Sequence, residues 1–193
     1  MKTTSIALRS AFAICFAFAM SFASCDWFDK ADDVTFDVAL THTFHVNQTA
    51  EDTDVIYQVQ EVLDAASASS DFAKYKDKIK NISVQGVTYE IQNCTISGIL
   101  FTDGTIAYSA ITATEPSSDP NIGAVASVGV ENVKAAENQE KNLQYSQVAL
   151  NDMSNLLKNN KELNVYLKGT LSKTPAQFDV VLTVKASVTA DAL

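Results

Sequence analysis

Two histidines, His42 and His45, and one mid-chain cysteine, Cys94, are the residues best equipped to do chemistry. In an extended segment the histidines, three positions apart, fall on opposite faces, because side chains alternate along a strand. His42 shares the apolar face and His45 the polar one, so the two cannot chelate one ion. The chain has no His-Glu-x-x-His and no Cys-x-x-Cys, the spacings that bring zinc ligands together. Asp52-Thr53-Asp54 and Asp32-Asp33 offer oxygens suited to Ca²⁺, but neither follows the spacing of a calcium-binding loop. Both read as solvated charge. No Gly-x-Ser-x-Gly elbow presents a nucleophile, and the six glycines stand singly, with no phosphate-cradling loop. Twenty-three acids contain many carboxylate pairs of the kind glycoside hydrolysis uses, and no spacing singles one out. The expectation is therefore no catalytic residue, no metal and no cofactor, with the binding residues unspecified.

The remaining reactive candidate is Cys25. Residues 1–10, MKTTSIALRS, carry Lys2 and Arg9 and no acid, and residues 11–20, AFAICFAFAM, are wholly apolar. Ser21, Ala23 and Ser24 follow. A basic start, a short apolar run and a small-residue exit form a secretory signal. The run from Ala11 to Ala23 is shorter than the roughly 20 residues a membrane-spanning helix needs. Phe22-Ala23-Ser24-Cys25 resembles the lipobox of bacterial lipoproteins, with Phe22 where Leu, Val or Ile is usual. That resemblance implies cleavage between Ser24 and Cys25 and a diacylglyceryl thioether on the Cys25 thiol. Two or three acyl chains would then hold the chain to a membrane. The alternative is an ordinary signal cut near Ser24, which leaves Cys25 as a free thiol. The lipoprotein reading also places the domain outside the cytoplasm, in the bacterial cell envelope, at the outer or the plasma membrane. In that setting the sequons at Asn47, Asn81 and Asn93 carry no implication of glycosylation.

Removal of residues 1–24 leaves 169 residues, a length suited to one domain. Arg9 is the only arginine, so the mature chain has none. Its twelve lysines against twenty-three acids give a net charge of −11 with neutral histidines. Nucleic acids select cationic surfaces, and this one is anionic, so no nucleic-acid partner is expected. Anionic headgroups repel it too, which leaves acyl chains to supply membrane affinity. With Cys15 lost and Cys25 acylated, Cys94 has no internal disulfide partner and reads as a small buried hydrophobe.

The elements that must position these residues begin after a short acidic tether, residues 25–33, in which Trp27 and Phe28 could rest at a bilayer interface. From Val34 the chain alternates strictly, with Val34, Phe36, Val38, Leu40, Phe44 and Val46 on one face. This is a half-buried strand. Thr49-Ala50-Glu51-Asp52 resembles a capping box, and Val55, Ile56, Val59, Val62, Leu63 and Ala66 fit one helical stripe. A helix is therefore expected there. A second, Asp71 to Lys80, turns Phe72, Tyr75 and Ile79 inward and carries Lys74, Lys76, Lys78 and Lys80 at its solvated surface. Ile82–Gln92 reads as a strand whose phase switches near Gly86, as at a bulge. Thr95–Thr102 and Thr105–Thr112 flank Asp103-Gly104 as a hairpin. A polar loop with two prolines spans 113–123, and a strand follows over Ala124–Glu131. Residues 135–142 read as a loop or frayed helix. Ser146–Asn160 forms a third helix with Ala149, Met153, Leu156 and Leu157 inward. Two long strands close the chain. In one, Leu163, Val165, Leu167 and Leu171 face in, and Asn164, Tyr166, Lys168 and Thr170 face out. In the other, Phe178 to Val188 alternates.

About seven strands and three short helices without βαβ alternation imply an antiparallel β-sandwich, or helix-capped antiparallel sheets, over residues 34–193. The expected function is that of a lipid-anchored, non-enzymatic binding or scaffolding module for a protein or glycan partner. A carrier of a lipid or other apolar ligand is the alternative, with Phe36, Phe44, Leu156 and Phe178 lining its groove. An envelope glycan hydrolase ranks behind both.

Overall fold

The computed structural model of the chain describes residues 32–116 and 125–192. The signal segment, Cys25 and the tether up to Ala31 lie outside the described residues, as does most of the proline loop. Eight strands are described: β1 (Asp33–Gln48), β2 (Thr53–Asp64), β3 (Ile79–Gln92), β4 (Leu100–Ser109), β5 (Val125–Asn132), β6 (Lys141–Leu143), β7 (Glu162–Lys173) and β8 (Ala176–Asp191). Three helices join them: α1 (Ala65–Ala68), α2 (Ser70–Tyr75) and α3 (Gln147–Asn160).

The strands form two antiparallel sheets, ordered β1-β8-β3-β6 and β2-β7-β4-β5. Within them β1 pairs with β8, β2 with β7, β3 with β6 and β4 with β5. Each pair of numbers sums to nine. The chain is thus one long antiparallel ribbon, doubled back between β4 and β5 and rolled so that successive pairs alternate between sheets. This is the wiring of a jelly roll. Strict alternation drives it: Leu40 and Phe44 on β1 and Phe178, Leu182 and Val188 on β8 are all at most 2% exposed. Each such side chain contributes about 1.5–3 kcal/mol on burial. β1 and β8 stay in register from Asp33 opposite Asp191 to Gln48 opposite Ala176.

The short helices α1 and α2, the C-terminus of α3, the last residues of β4, the first of β5 and the first described residue, Asp32, lie at one end of the sandwich. The Ala192 N–H donates to the Asp32 carbonyl there (2.8 Å). The other end carries the tight connections β1–β2 and β7–β8, the latter through a cis Thr174-Pro175 bond.

The expected third helix is α3, capped by Ser146, whose hydroxyl accepts the Ala149 N–H at 3.1 Å. The register of β3 on β8 shifts between Val84 and Gly86, the bulge expected near Gly86. Four expectations need correction. Residues 53–64 are the strand β2, not a helix. Tyr57 and Leu63 are buried, but Ile56 (70% exposed) and Val62 (45%) face outward, as period two requires. Five β-branched residues favour the pleat, and the helix shrinks to α1, capped by Asp64 through the Ala66 N–H at 2.9 Å. The second helix stops at Tyr75, and Ile79 already belongs to β3.

Asp103-Gly104 is a bulge inside one continuous strand, not a hairpin turn. β4 pairs with β7 on both sides of it, Phe101 opposite Leu171 and Ile106 opposite Leu167. Asp103 takes the positive φ (52°) that a bulge accommodates as well as a turn does. The inserted residues switch the inward phase from Phe101 to Ile106 and Tyr108. Last, Asn164 and Tyr166 do face away from the core but are buried, because residues 110–113 fold over them. The Asn164 amide donates to the carbonyls of Ala110 (3.0 Å) and Ala113 (2.8 Å), and the Tyr166 and Ser109 hydroxyls share a hydrogen bond of 2.9 Å. Residues 135–138 are turns with an isolated bridge from Glu137 to Ile91, and β6 opens at Lys141.

Candidate functional site

Cys25 and Ser24 lie outside the described residues. The two histidines fall on opposite faces of β1, as the alternation requires. His42 points between the sheets, its Nε2 2.8 Å from Glu61 Oε2 on β2, with its ring edge-on to Phe44 at 4.9 Å. β1 and β2 are the edge strands on that side, so the pair closes the seam between the layers. His45 lies on the outer face, 73% exposed, with Nδ1 2.7 Å from Asp179 Oδ1. The Asn93 amide donates to the other Asp179 oxygen at 2.6 Å. Partial burial pushes the Asp179 carboxyl up, but the bonds from Asn93 and His45 outweigh it and leave the group below its usual range.

Cys94 is 8% exposed. Burial pushes its thiol pKa up, and the Glu137 and Asp179 carboxylates push it further against the opposing Lys134. Its backbone N–H donates to Glu137 Oε1 (2.8 Å), and Glu137 also binds Lys134 (2.5 Å). A raised thiol pKa disfavours the thiolate that a nucleophile needs. The Asp52 carboxylate accepts the Thr53 N–H (2.7 Å), and Asp33 pairs with Lys80 (2.6 Å). Among the described residues no three His, Cys, Asp or Glu side chains gather around one point, and no helix is long and apolar enough to cross a membrane. Lys74 lies over the Tyr75 ring at 4.7 Å. Of the aromatic and aliphatic groups considered as groove lining, Phe44 and Phe178 are closed into the core, while Phe36 packs on Tyr75 at 5.2 Å between centroids. Leu156 is partly buried against the same core.

Two clusters had escaped the sequence reading. At the seam opposite His42, where β5 and β6 are the edge strands, Lys141 Nζ lies 2.6 Å from both oxygens of Glu131. The Tyr89 hydroxyl donates to the same carboxylate at 2.6 Å. Burial, and then the Glu131 bond and charge, raise the Tyr89 pKa well above its ordinary value. The two open sides of the sandwich are thus each bridged by an acid from one sheet and a base from the other.

The second cluster is a groove of about 380 Å³ lined by Asn81, Ile82, Ser83, Asn151, Ser154 and Asn155. Among the described residues no charged side chain lines it. It exists because β6 is only three residues long and pairs with β3 at Val87–Tyr89 alone. Beyond that point α3 lies along β3 in place of a strand. Ser154 sits on the buried stripe of α3 and stitches the two together, accepting the Val84 N–H (2.9 Å) and donating to the Leu150 carbonyl (2.7 Å). A polar residue on that stripe is the one trace of the groove in the sequence.

No protein-family model and no curated protein matches the chain. Among solved structures it is similar to a Desmodium yellow mottle tymovirus chain (TM-score 0.35, 12% identity, 82% of this chain and 84% of that one). It is also similar to the decameric BFDV capsid protein (0.37, 11%, 81% and 98%) and to a chain of turnip yellow mosaic virus at 100 K (0.32, 9%, 83% and 96%). Nothing about this chain's ligand follows from these likenesses.

Proposed function

We propose that the chain is a lipid-anchored cell-envelope protein that binds or scaffolds a partner close to its membrane and catalyses no reaction. The observation that carries this reading is the position of Cys25, which ends a short signal-like segment in a lipobox-like Phe-Ala-Ser-Cys. Six residues separate it from Asp32, and the seven Cα steps reach at most about 25 Å when extended. The helix-bearing end of the jelly roll, where Asp32 emerges, would then face the bilayer. The titratable groups support a binding rather than a catalytic role. His42, His45, Glu131 and Asp179 are each engaged between strands, and the Cys94 thiol is held protonated.

The test is fractionation of cells carrying the native chain or Cys25→Ala, followed by capture of cross-linked partners from the membrane fraction. The native chain is expected in membranes, released only by detergent. Cys25→Ala is expected to lose both that association and the captured partners. A Cys25→Ala chain that fractionates like the native one refutes lipid anchoring.

A further inference from the structure

On the side of β3 away from β8, the only strand partner among the described residues is β6, and it ends opposite Val87. The Val84 N–H points to that side, where Ser154 of α3 takes it. Antiparallel alternation then aims the N–H and C=O of Ile82 the same way. Among the described residues no strand pairs with Ile82 there, and Ile82 lines the groove. Its side chain is 4% exposed and points into the core, so what the groove receives from Ile82 is backbone. Around it stand the carboxamides of Asn81, Asn151 and Asn155. A strand with one unpaired edge beside a helix is a geometry in which peptides add as an extra strand. Unpaired edges are ordinarily covered.

We propose that the groove between β3 and α3 receives an extended, uncharged segment of a partner polypeptide, paired with the Ile82 backbone and flanked by the three asparagine side chains. The proposal rests on the reading of the chain as a binding module and names the site and partner class. Size agrees with it: one residue of an added strand occupies about 3.3 × 4.8 × 10 Å, roughly 160 Å³. The groove therefore holds two to three extended residues. Chemistry agrees too, because asparagine amides donate and accept, matching both backbone and neutral polar side chains. A neutral site on a chain of formal charge −9 holds its partner by hydrogen bonds and shape, not by ion pairing. Among the described residues no aromatic face lines the groove to stack a sugar ring.

The experiment selects a phage-displayed library of random short peptides against the full-length chain in detergent micelles. Binding of the selected peptides is then measured together with amide hydrogen exchange by NMR. Uncharged peptides are expected to be enriched and to slow exchange of the Ile82 N–H at least about tenfold. Their affinity is expected to change less than about twofold between low and high salt. Asn155→Trp and, separately, Asn151→Arg should weaken binding at least about tenfold with an unchanged melting temperature. Should either variant unfold, Ile82 protection in the native chain decides alone. The proposal is overturned if no peptide is enriched, if the peptides leave Ile82 exchange unaltered, or if a neutral oligosaccharide array binds in the groove instead. Because the assay does not depend on acylation, its failure leaves membrane anchoring standing, and loss of anchoring leaves the peptide site standing.

Discussion

Substituting Lys141 by Met tests whether the acid-base bridge at the β5–β6 seam holds the two sheets together. Both Glu131 oxygens lie 2.6 Å from Lys141 Nζ, and the side chains are 10% and 35% exposed respectively. Breaking a fully buried pair costs about 3–5 kcal/mol, since a charge is left stranded. A solvent-exposed pair contributes only about 0–1 kcal/mol. With one partner buried and the other one-third exposed, and with the Tyr89 hydroxyl still donating, the cost falls at about 2–3 kcal/mol. For a chain of this size that lowers the melting temperature by about 4–12 °C. Adding Glu131→Gln removes the stranded charge while keeping an acceptor for Tyr89, so the double variant should recover more than half of the loss. Urea denaturation of the four chains in the cycle measures this. Lys141→Met within about 0.5 kcal/mol of the native chain, or a double variant no better than the single one, refutes the reasoning.

Two further outcomes follow from the same packing. A Cβ at Gly169 would lie 2.2 Å from Phe101 Cζ and 2.5 Å from Cε2, so Gly169→Ala should cost about 1–3 kcal/mol or more. Phe101→Leu in the same chain should relieve part of that cost, and urea midpoints that add without coupling would contradict the contact. The hydroxyls of Tyr89 and Tyr108 are buried, 4% and 1% exposed by residue, and burial is the largest cause raising both pKa values above the ordinary 10.0. Above pH 10 the unfolded chain loses these protons while the folded chain keeps them, so stability falls as pH rises. These two protons contribute about 2.7 kcal/mol per pH unit, and Tyr57 and Tyr145, whose pKa values burial also raises, add to the slope. Tyr108→Phe should lower the slope by about 1.4 kcal/mol per pH unit, and a slope unchanged by that substitution would contradict the burial.

Much of the fold was legible because alternation is a local signal. β1 and β8 announce themselves through Leu40, Phe44, Phe178 and Leu182, and the stripe of Ala149, Met153 and Leu157 marks α3. Residues 53–64 were ambiguous because Val55, Val59 and Leu63, spaced by four, fit both a helix stripe and one face of a strand. Only the outward Ile56 and Val62 separate the two, and on an edge strand apolar residues do face out. Asp103-Gly104 misled for a related reason: a residue at positive φ beside a glycine serves a bulge as readily as a turn. The burial of Asn164 and Tyr166 depends on what folds over them, which no local pattern records. Neither does any motif encode the groove, since it results from the early end of β6 at Leu143 and the Val84 N–H that Ser154 takes instead.

Intact-mass analysis of the amino-terminal peptide, taken from chain purified out of the membrane fraction, addresses the anchoring of this jelly roll most directly. The expected result is a peptide that begins at Cys25 and carries a diacylglyceryl thioether, with or without a further acyl chain on its amine. An amino terminus bearing no lipid, on a chain that leaves the cells with the aqueous fraction, contradicts it.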